Sequence, residues 1–418
     1  MPTKTDSSQS FPKITLTDIE AAKTFLAGKI VRTPVREVPA AFTLPGTQLF
    51  LKLENEQLTG SFKIRGAMNK MNSLSADERQ RGVVCSSAGN HAQGVALAAK
   101  ILGVKAHIVM PHTTPIVKIN ATRSHGADVI LHGEFYDEAF AHAKVLEREK
   151  GYIFVHAFED PFVIAGQGTI GLELFEQIPG LDSIVIPIGG GGLISGIASA
   201  AKALNPKIRI IGVVSDQTQA MMNLKRHEPV VDKKKRISTI AEGIAVKNPS
   251  PLVFETYIDP LVDDIVSVNE NEIAQAIVFL MEKAKTVTEG AGAAGFAAVL
   301  NHGASLGLGK KSCILLCGGN IDFTVMAKVI ERGLRQEHRL ARMTLIVDDL
   351  PGNLNVITTV MAENRANILE VYHDRVSPEL AIRETRIDLL IETASDEHIA
   401  QIKAALKGQG FKILEAKS

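Results

Sequence analysis

Tryptophan is absent from the 418 residues, and cysteine occurs three times, at Cys85, Cys313 and Cys317. None of the three has the paired spacing of a zinc site, and so sparse and odd a set excludes a disulfide framework. They read as reduced thiols of a cytoplasmic protein. No sign of charge is in excess: 46 Lys and Arg balance 46 Asp and Glu. That balance argues against a nucleic-acid partner. The basic run Lys233 to Arg236 reads as a solvated loop. His107, His112, His125 and His132 lack ligand spacing, so no metal site is expected. One uncharged run, Ser183 to Ala201, is long enough to raise the question of a membrane span. Its four consecutive glycines and Pro187 break any spanning helix. The first ten residues are polar and lack the apolar core of a secretory signal.

What is present is a soluble globular composition, 45% apolar and 22% charged, with a length suited to two or three domains. Short β-branched runs recur at Gly82–Cys85, Ala106–Met110, Asp128–Leu131, Tyr152–Val155, Ser183–Ile188, Arg209–Val214 and Ser312–Cys317. Helix-like stretches such as His91–Leu102, Tyr136–Glu149 and Glu270–Ala284 separate them. Such alternation predicts an α/β architecture of parallel strands joined by crossovers. Near Gln336 the pattern changes. Arg339–Asp348, Leu369–Val376, Ile382–Thr393 and Phe411–Glu415 read as strands. A first helix places Leu354, Ile357 and Met361 on one face, and a second, capped by Ser395, carries Ile399, Ile402 and Leu406. The order βαββαβ is ferredoxin-like. We divide the chain into residues 1–335 and 336–418, with the boundary in the charged segment Glu331–Arg342.

Four motifs carry chemistry. Lys63 lies in Gly60-Ser61-Phe62-Lys63-Ile64-Arg65-Gly66, flanked by apolar residues that would favour a neutral, nucleophilic amine. Ser86-Ser87-Ala88-Gly89-Asn90-His91 ends a strand and opens a helix, whose backbone N–H groups suit a carboxylate. Gly189-Gly190-Gly191-Gly192-Leu193 follows a strand, and consecutive glycines let amides converge on phosphate oxygens. Its glycines lack the spacing of a dinucleotide fingerprint. Cys317 ends a strand before Gly318-Gly319-Asn320. Standing alone, each has a plainer reading: a solvated lysine, an N-capped turn, a common α/β loop, a buried core cysteine.

In this order the motifs resemble those of the threonine ammonia-lyases with one C-terminal ACT domain, from about Ile14 to Leu414. The resemblance implies a two-lobed fold-type II pyridoxal phosphate enzyme, with a small lobe at about residues 55–160 inserted in a larger one and a regulatory ACT domain at 336–418. It implies pyridoxal 5'-phosphate as cofactor, held by Phe62, Lys63, Asn90, Gly189, Gly190, Gly191, Gly192, Leu193, Glu289 and Cys317. Lys63 would form the Schiff base and take the α-proton, Asn90 would reach the ring 3-oxygen, and Cys317 would face the pyridine nitrogen. Substrate would lie at Ser86, Ser87, Ala88, Gly89 and His91. Related serine racemases carry a serine as second base where this chain has Ala88. The implied reaction is L-threonine to 2-oxobutanoate and ammonia, with L-serine giving pyruvate. The alternatives are hydroxyaspartate or serine dehydration, β-replacement, and a catalytically idle amino-acid sensor. An effector such as isoleucine or valine would bind at Gly352, Asn353 and Leu354, in a homo-oligomer, dimer or tetramer.

Overall fold

A computed structural model describes residues 11–39, 44–230, 238–376 and 379–414. The run Lys233 to Arg236 lies outside them. Two compact units emerge, Met1–Asp322 and Phe323–Ser418. Fourteen strands run through the described residues: β1 Val35–Glu37, β2 Gln48–Leu53, β3 Val83–Ser86, β4 Ala106–Met110, β5 Asp128–Leu131, β6 Ile153–Phe154, β7 Ser183–Pro187, β8 Arg209–Ser215, β9 Asp264–Val268, β10 Lys311–Leu316, β11 Leu340–Asp348, β12 Ile368–Asp374, β13 Glu384–Glu392 and β14 Lys412–Leu414.

The first unit holds two sheets. The larger has the order β1-β2-β10-β7-β8-β9, all parallel except the antiparallel edge pair β1–β2. The smaller, β5-β4-β3-β6, is wholly parallel. Parallel strands covered on both faces are apolar throughout rather than alternating. β7, Ser-Ile-Val-Ile-Pro, is buried at all five positions. A crossover helix between strands then needs one broad apolar face, and Gly192–Leu204 buries nine of its residues.

Lys63 opens the helix Lys63–Asn72. That helix meets Pro161–Gln177 backbone to backbone. A Cβ added to Gly166 would lie 2.6 Å from the Arg65 carbonyl oxygen and 2.7 Å from the Gly66 Cα. Only glycine allows this approach, and it fixes the first turn of the lysine helix against a long, buried neighbour.

The second unit starts earlier than expected. Helix Phe323–Gln336 belongs to it. The charged segment chosen as the boundary is the end of this helix and the start of β11. Beyond it the order is β11, helix Asn353–Glu363, β12, β13, helix Asp396–Gly408, β14, with antiparallel sheet order β12-β13-β11-β14. Its core gathers Met343, Leu345, Val347, Ile357, Val360, Met361, Leu389, Ile402 and Leu406. Leu354, expected on the buried stripe, is 40% exposed, and Val360 takes that place, one turn on from Ile357 on the core side. Ser395 caps its helix as expected, its hydroxyl accepting from the His398 N–H.

Candidate active site

Two segments more than 250 residues apart are joined by backbone hydrogen bonds. Phe62 N–H donates to the Cys317 carbonyl (3.2 Å), Gly319 N–H donates to the Gly60 carbonyl (2.8 Å), and Ser61 bridges Gly318. β10 ends at Leu316, one residue before the expected strand end, so Cys317 stands in the loop that makes this junction. Lys63 follows immediately. Its Nζ donates to the Ala157 carbonyl at 3.1 Å and lies 5.1 Å from the Phe62 ring centre. Burial lowers the Lys63 ammonium from 10.5 to about 8, against the opposing pull of Cys317 and Glu289. At neutral pH an appreciable fraction is therefore a free amine. Burial raises the Cys317 thiol, which is 4% exposed, so it stays uncharged.

Glu289 is a third group shifted toward neutrality. Burial brings its carboxyl up to about 7, although Asn90 donates to Oε1 at 2.7 Å. Asn90 Oδ1 in turn accepts from Asn320 Nδ2 at 2.8 Å, and Asn320 also donates to the Thr59 carbonyl. The Gly318 carbonyl accepts from Thr288 Oγ1 (2.8 Å) and from Glu289 N–H (3.1 Å). One polar chain thus links Glu289, Asn90 and Asn320, and the Gly318 carbonyl ties it to the lysine junction.

The loop Gly189–Gly192 leads from β7 into helix Gly192–Leu204, with Gly191 at φ +92°. A Cβ on Gly190 would lie 2.2 Å from the Phe158 ring, and one on Gly192 2.8 Å from the Phe158 backbone. Phe158 lies against this loop, and its neighbour Ala157 receives the Lys63 hydrogen bond. Leu193, in the helix's first turn, is buried. Neither Ala157 nor Phe158 carried any signal in the sequence. Asn320 stood beside a motif without a role, and Thr288 stood beside Glu289.

Around β3 the backbone turns into helix Asn90–Leu102, with Gly89 at its N-cap. Ser87 Oγ accepts from Gly89 N–H at 3.2 Å, and Ala88 is partly exposed. Ser86 Oγ and Ser61 Oγ are buried with no partner among the described residues. His91 turns its Nε2 to the Val155 carbonyl at 2.9 Å. Burial holds its pKa at about 3, so the ring is neutral. In the second unit, Gly352 has φ +102° before helix Asn353–Glu363, and Asn353 Nδ2 donates to the Asp348 carbonyl. No group of three or more His, Cys, Asp or Glu among the described residues could hold a metal ion, and no described helix is long and apolar enough to cross a membrane.

Residues 26–318 match a family model described as pyridoxal-phosphate dependent enzyme. The chain belongs to the pyridoxal-phosphate-dependent enzymes. An L-threonine ammonia-lyase of Thermotoga maritima is 46% identical over 402 residues, which cover 96% of this chain and 99% of that relative. A catabolic L-threonine dehydratase of Staphylococcus aureus is 44% identical over 337 residues, 80% and 97% of the two chains. Among solved structures, the processed form of threonine deaminase isoform 2 from Solanum lycopersicum shares the fold with TM-score 0.71 and 34% identity over 78% of this chain and 98% of its own. A maize serine racemase is equally near, with TM-score 0.71, 34% identity, and coverage of 78% and 100%. The cofactor of this pyridoxal-phosphate-dependent enzyme fits the residues present. A largely desolvated amine, a loop with no room for side chains on its inner face, and buried hydroxyls without partners are what an aldehyde bearing a phosphate, and a carboxylate substrate, require.

Proposed function

We propose that the chain is a threonine ammonia-lyase, converting L-threonine to 2-oxobutanoate and ammonia and L-serine to pyruvate by the same route. The observation that carries this reading is the buried Lys63 amine beside the Phe62–Cys317 junction, in a chain 46% identical to an L-threonine ammonia-lyase. Pyridoxal phosphate, when bound, supplies an electrophilic carbon for amines and a ring that withdraws electrons from the substrate's α-carbon. Lys63 would hold it and serve as the base for the α-proton. With a proton affinity brought near neutrality, it accepts that proton and releases it again without a large cost. The partnerless hydroxyls of Ser61 and Ser86, with the helix start at Gly89 and Asn90, suit the two anions, substrate carboxylate and cofactor phosphate. The glycine loop would cradle the phosphate, and Asn90 with Glu289 would orient the ring oxygen. Cys317, uncharged, would lie toward the ring nitrogen and place no anion there. Loss of the α-proton and the β-hydroxyl leaves an enamine, which tautomerises and takes up water to give the oxoacid and ammonia.

The maize racemase at equal structural distance raises racemisation as a second reading. Ala88 offers no hydroxyl to reprotonate the opposite face. Incubation with L-threonine alone, with chiral analysis of the amino acid and assay of 2-oxobutanoate, separates the readings. Production of 2-oxobutanoate that disappears in Lys63→Ala supports ours, and D-amino acid as the main product sinks it.

We assign the second unit as an ACT domain that senses an amino acid such as isoleucine or valine. Its βαββαβ order and four-stranded antiparallel sheet support this. The turn at Gly352, Asn353 and Leu354 would receive the effector carboxylate at a helix start, in a cytoplasmic homo-oligomer. Truncation after Asp322 should give an enzyme that no longer responds. A folded, truncated enzyme with the full response refutes the assignment.

A further inference from the structure

The ion pair Lys118–Glu242 joins the two lobes of the first unit. Lys118 lies on helix Ile116–Ser124, between β4 and β5 of the small sheet. Glu242 begins the short helical turn Glu242–Ile244, between β8 and β9 of the large one. Their Nζ and Oε2 are 2.7 Å apart. Glu242 is 71% and Lys118 27% exposed at the side chain. Pairs this open to water add little to stability, so the pair's location matters more than its strength.

That location is beside Glu289. A Cβ on Gly243, the next residue, would lie 3.5 Å from Glu289 Oε1. The Ile244 Cα lies 3.0 Å from where a Cβ on Gly189 would stand, at the start of the glycine loop. The turn is anchored from behind: Thr239 Oγ1 and Ile240 N–H both donate to the Glu270 carboxylate, at 2.5 and 2.9 Å. Glu289 thus accepts from Asn90, on the helix at β3, and lies within electrostatic reach of Lys63 and Cys317 at the lysine junction, of Glu242 on this turn and of Lys118 on the opposite lobe.

We propose that the Lys118–Glu242 pair is a positioning element that sets the protonation of Glu289 from across the lobe boundary, and through Asn90 the hydrogen bonding of the cofactor ring. The inference rests on the cofactor placement given above. The two members act with opposite signs. The Lys118 ammonium favours the Glu289 carboxylate, and the Glu242 carboxylate opposes it. A pair that served only to clasp the lobes would show no such asymmetry, because losing either partner opens the same clasp. The carboxyl near 7 places the transition within an accessible range.

The test uses the holoenzyme in four variants: Lys118→Met, Glu242→Gln, the two combined, and Glu289→Gln. The visible absorbance of the bound cofactor is titrated between pH 5 and 9, and kcat/KM for L-threonine is profiled over the same range. Lys118→Met should move the Glu289-linked limb to higher pH and Glu242→Gln to lower pH. Each shift should be on the order of half a pH unit, as Coulomb's law gives for a unit charge several ångströms away in a partly aqueous medium. The double variant should return near the parent, and Glu289→Gln should lack the limb. Shifts of equal sign in both single variants, no shift, no limb in the parent, or a limb that persists in Glu289→Gln overturns the proposal. If the parent does not deaminate threonine, the proposed function fails on its own, and the absorbance titration still decides this inference.

Discussion

Glu173→Gln should destabilise the first unit far more than its single lost charge suggests. Arg65, two residues after Lys63, is fully buried. Its guanidinium donates to Glu54 from Nε (2.9 Å) and Nη2 (2.8 Å), to Glu173 from Nη1 (2.6 Å) and Nη2 (3.1 Å), and to Thr169. Lys52 completes the group, donating to Glu173, Gln177 and the Thr33 carbonyl. Two cations and two carboxylates cancel. Burial works to raise the Glu54 carboxyl, yet Arg65, Lys52 and the Thr33 hydroxyl together outweigh it and hold the group below its ordinary range. Burial lowers Lys52, with Glu173 as the chief opposing influence. Exchanging Glu173 for an amide leaves a buried net positive charge and turns an N–H toward donors. Removing one partner of such a group costs about 3–5 kcal/mol. That corresponds to a fall of roughly 4–7 °C in the melting temperature of a unit this size. Calorimetry of the apoenzyme at pH 7 measures it, and resolves the two units if they melt separately. Adding Lys52→Met restores neutrality and should recover most of the loss. A single variant within about 1 °C of the parent, or a double variant no more stable than the single, would refute the charge-balance argument.

Capture of pyridoxal phosphate by the apoenzyme, followed by absorbance, should speed up with pH about a midpoint near 8, because Lys63 loses its proton there. A rate still climbing toward the ordinary lysine value of 10.5 would show that burial does not depress it. Cys317→Asp should place an anion at the ring nitrogen, alter the cofactor spectrum and lower threonine turnover by roughly tenfold or more, about 1.4 kcal/mol of barrier. An unchanged spectrum and kcat/KM would mean that Cys317 does not face the ring. Ala88→Ser should introduce slow serine racemisation, measured by chiral chromatography. Racemisation by the parent at a rate comparable to its deamination would remove the argument from Ala88.

The alternation of strands and helices was legible because parallel strands buried on both faces, such as Ser183–Pro187, are continuous apolar runs. Three of the four motifs were legible because each sits where a strand hands over to a loop or helix, and the lysine motif because it opens a helix between apolar flanks. What escaped depends on contacts between distant residues. Arg65 stood inside the lysine motif, but its partners Glu54 and Glu173 lie on other elements, and nothing local marks an arginine as buried. His91 was grouped with the substrate loop, yet its ring is directed to Val155, on a segment more than 60 residues later. The helix Phe323–Gln336 was hidden by its charges, because those residues read equally as a linker.

The junction of Gly60–Phe62 with Cys317–Gly319 also bears on synthesis. β10 lies between β2 and β7 in the larger sheet, so the strand made last fills the middle rather than the edge. Until residue 319 has left the ribosome, β2 has no parallel neighbour and the lysine segment lacks its backbone partners. Pairings this remote in sequence form slowly. The nascent chain therefore cannot assemble the lysine site early: most of the first unit must be complete before the reactive amine is held in place, which delays cofactor capture until the fold can protect it.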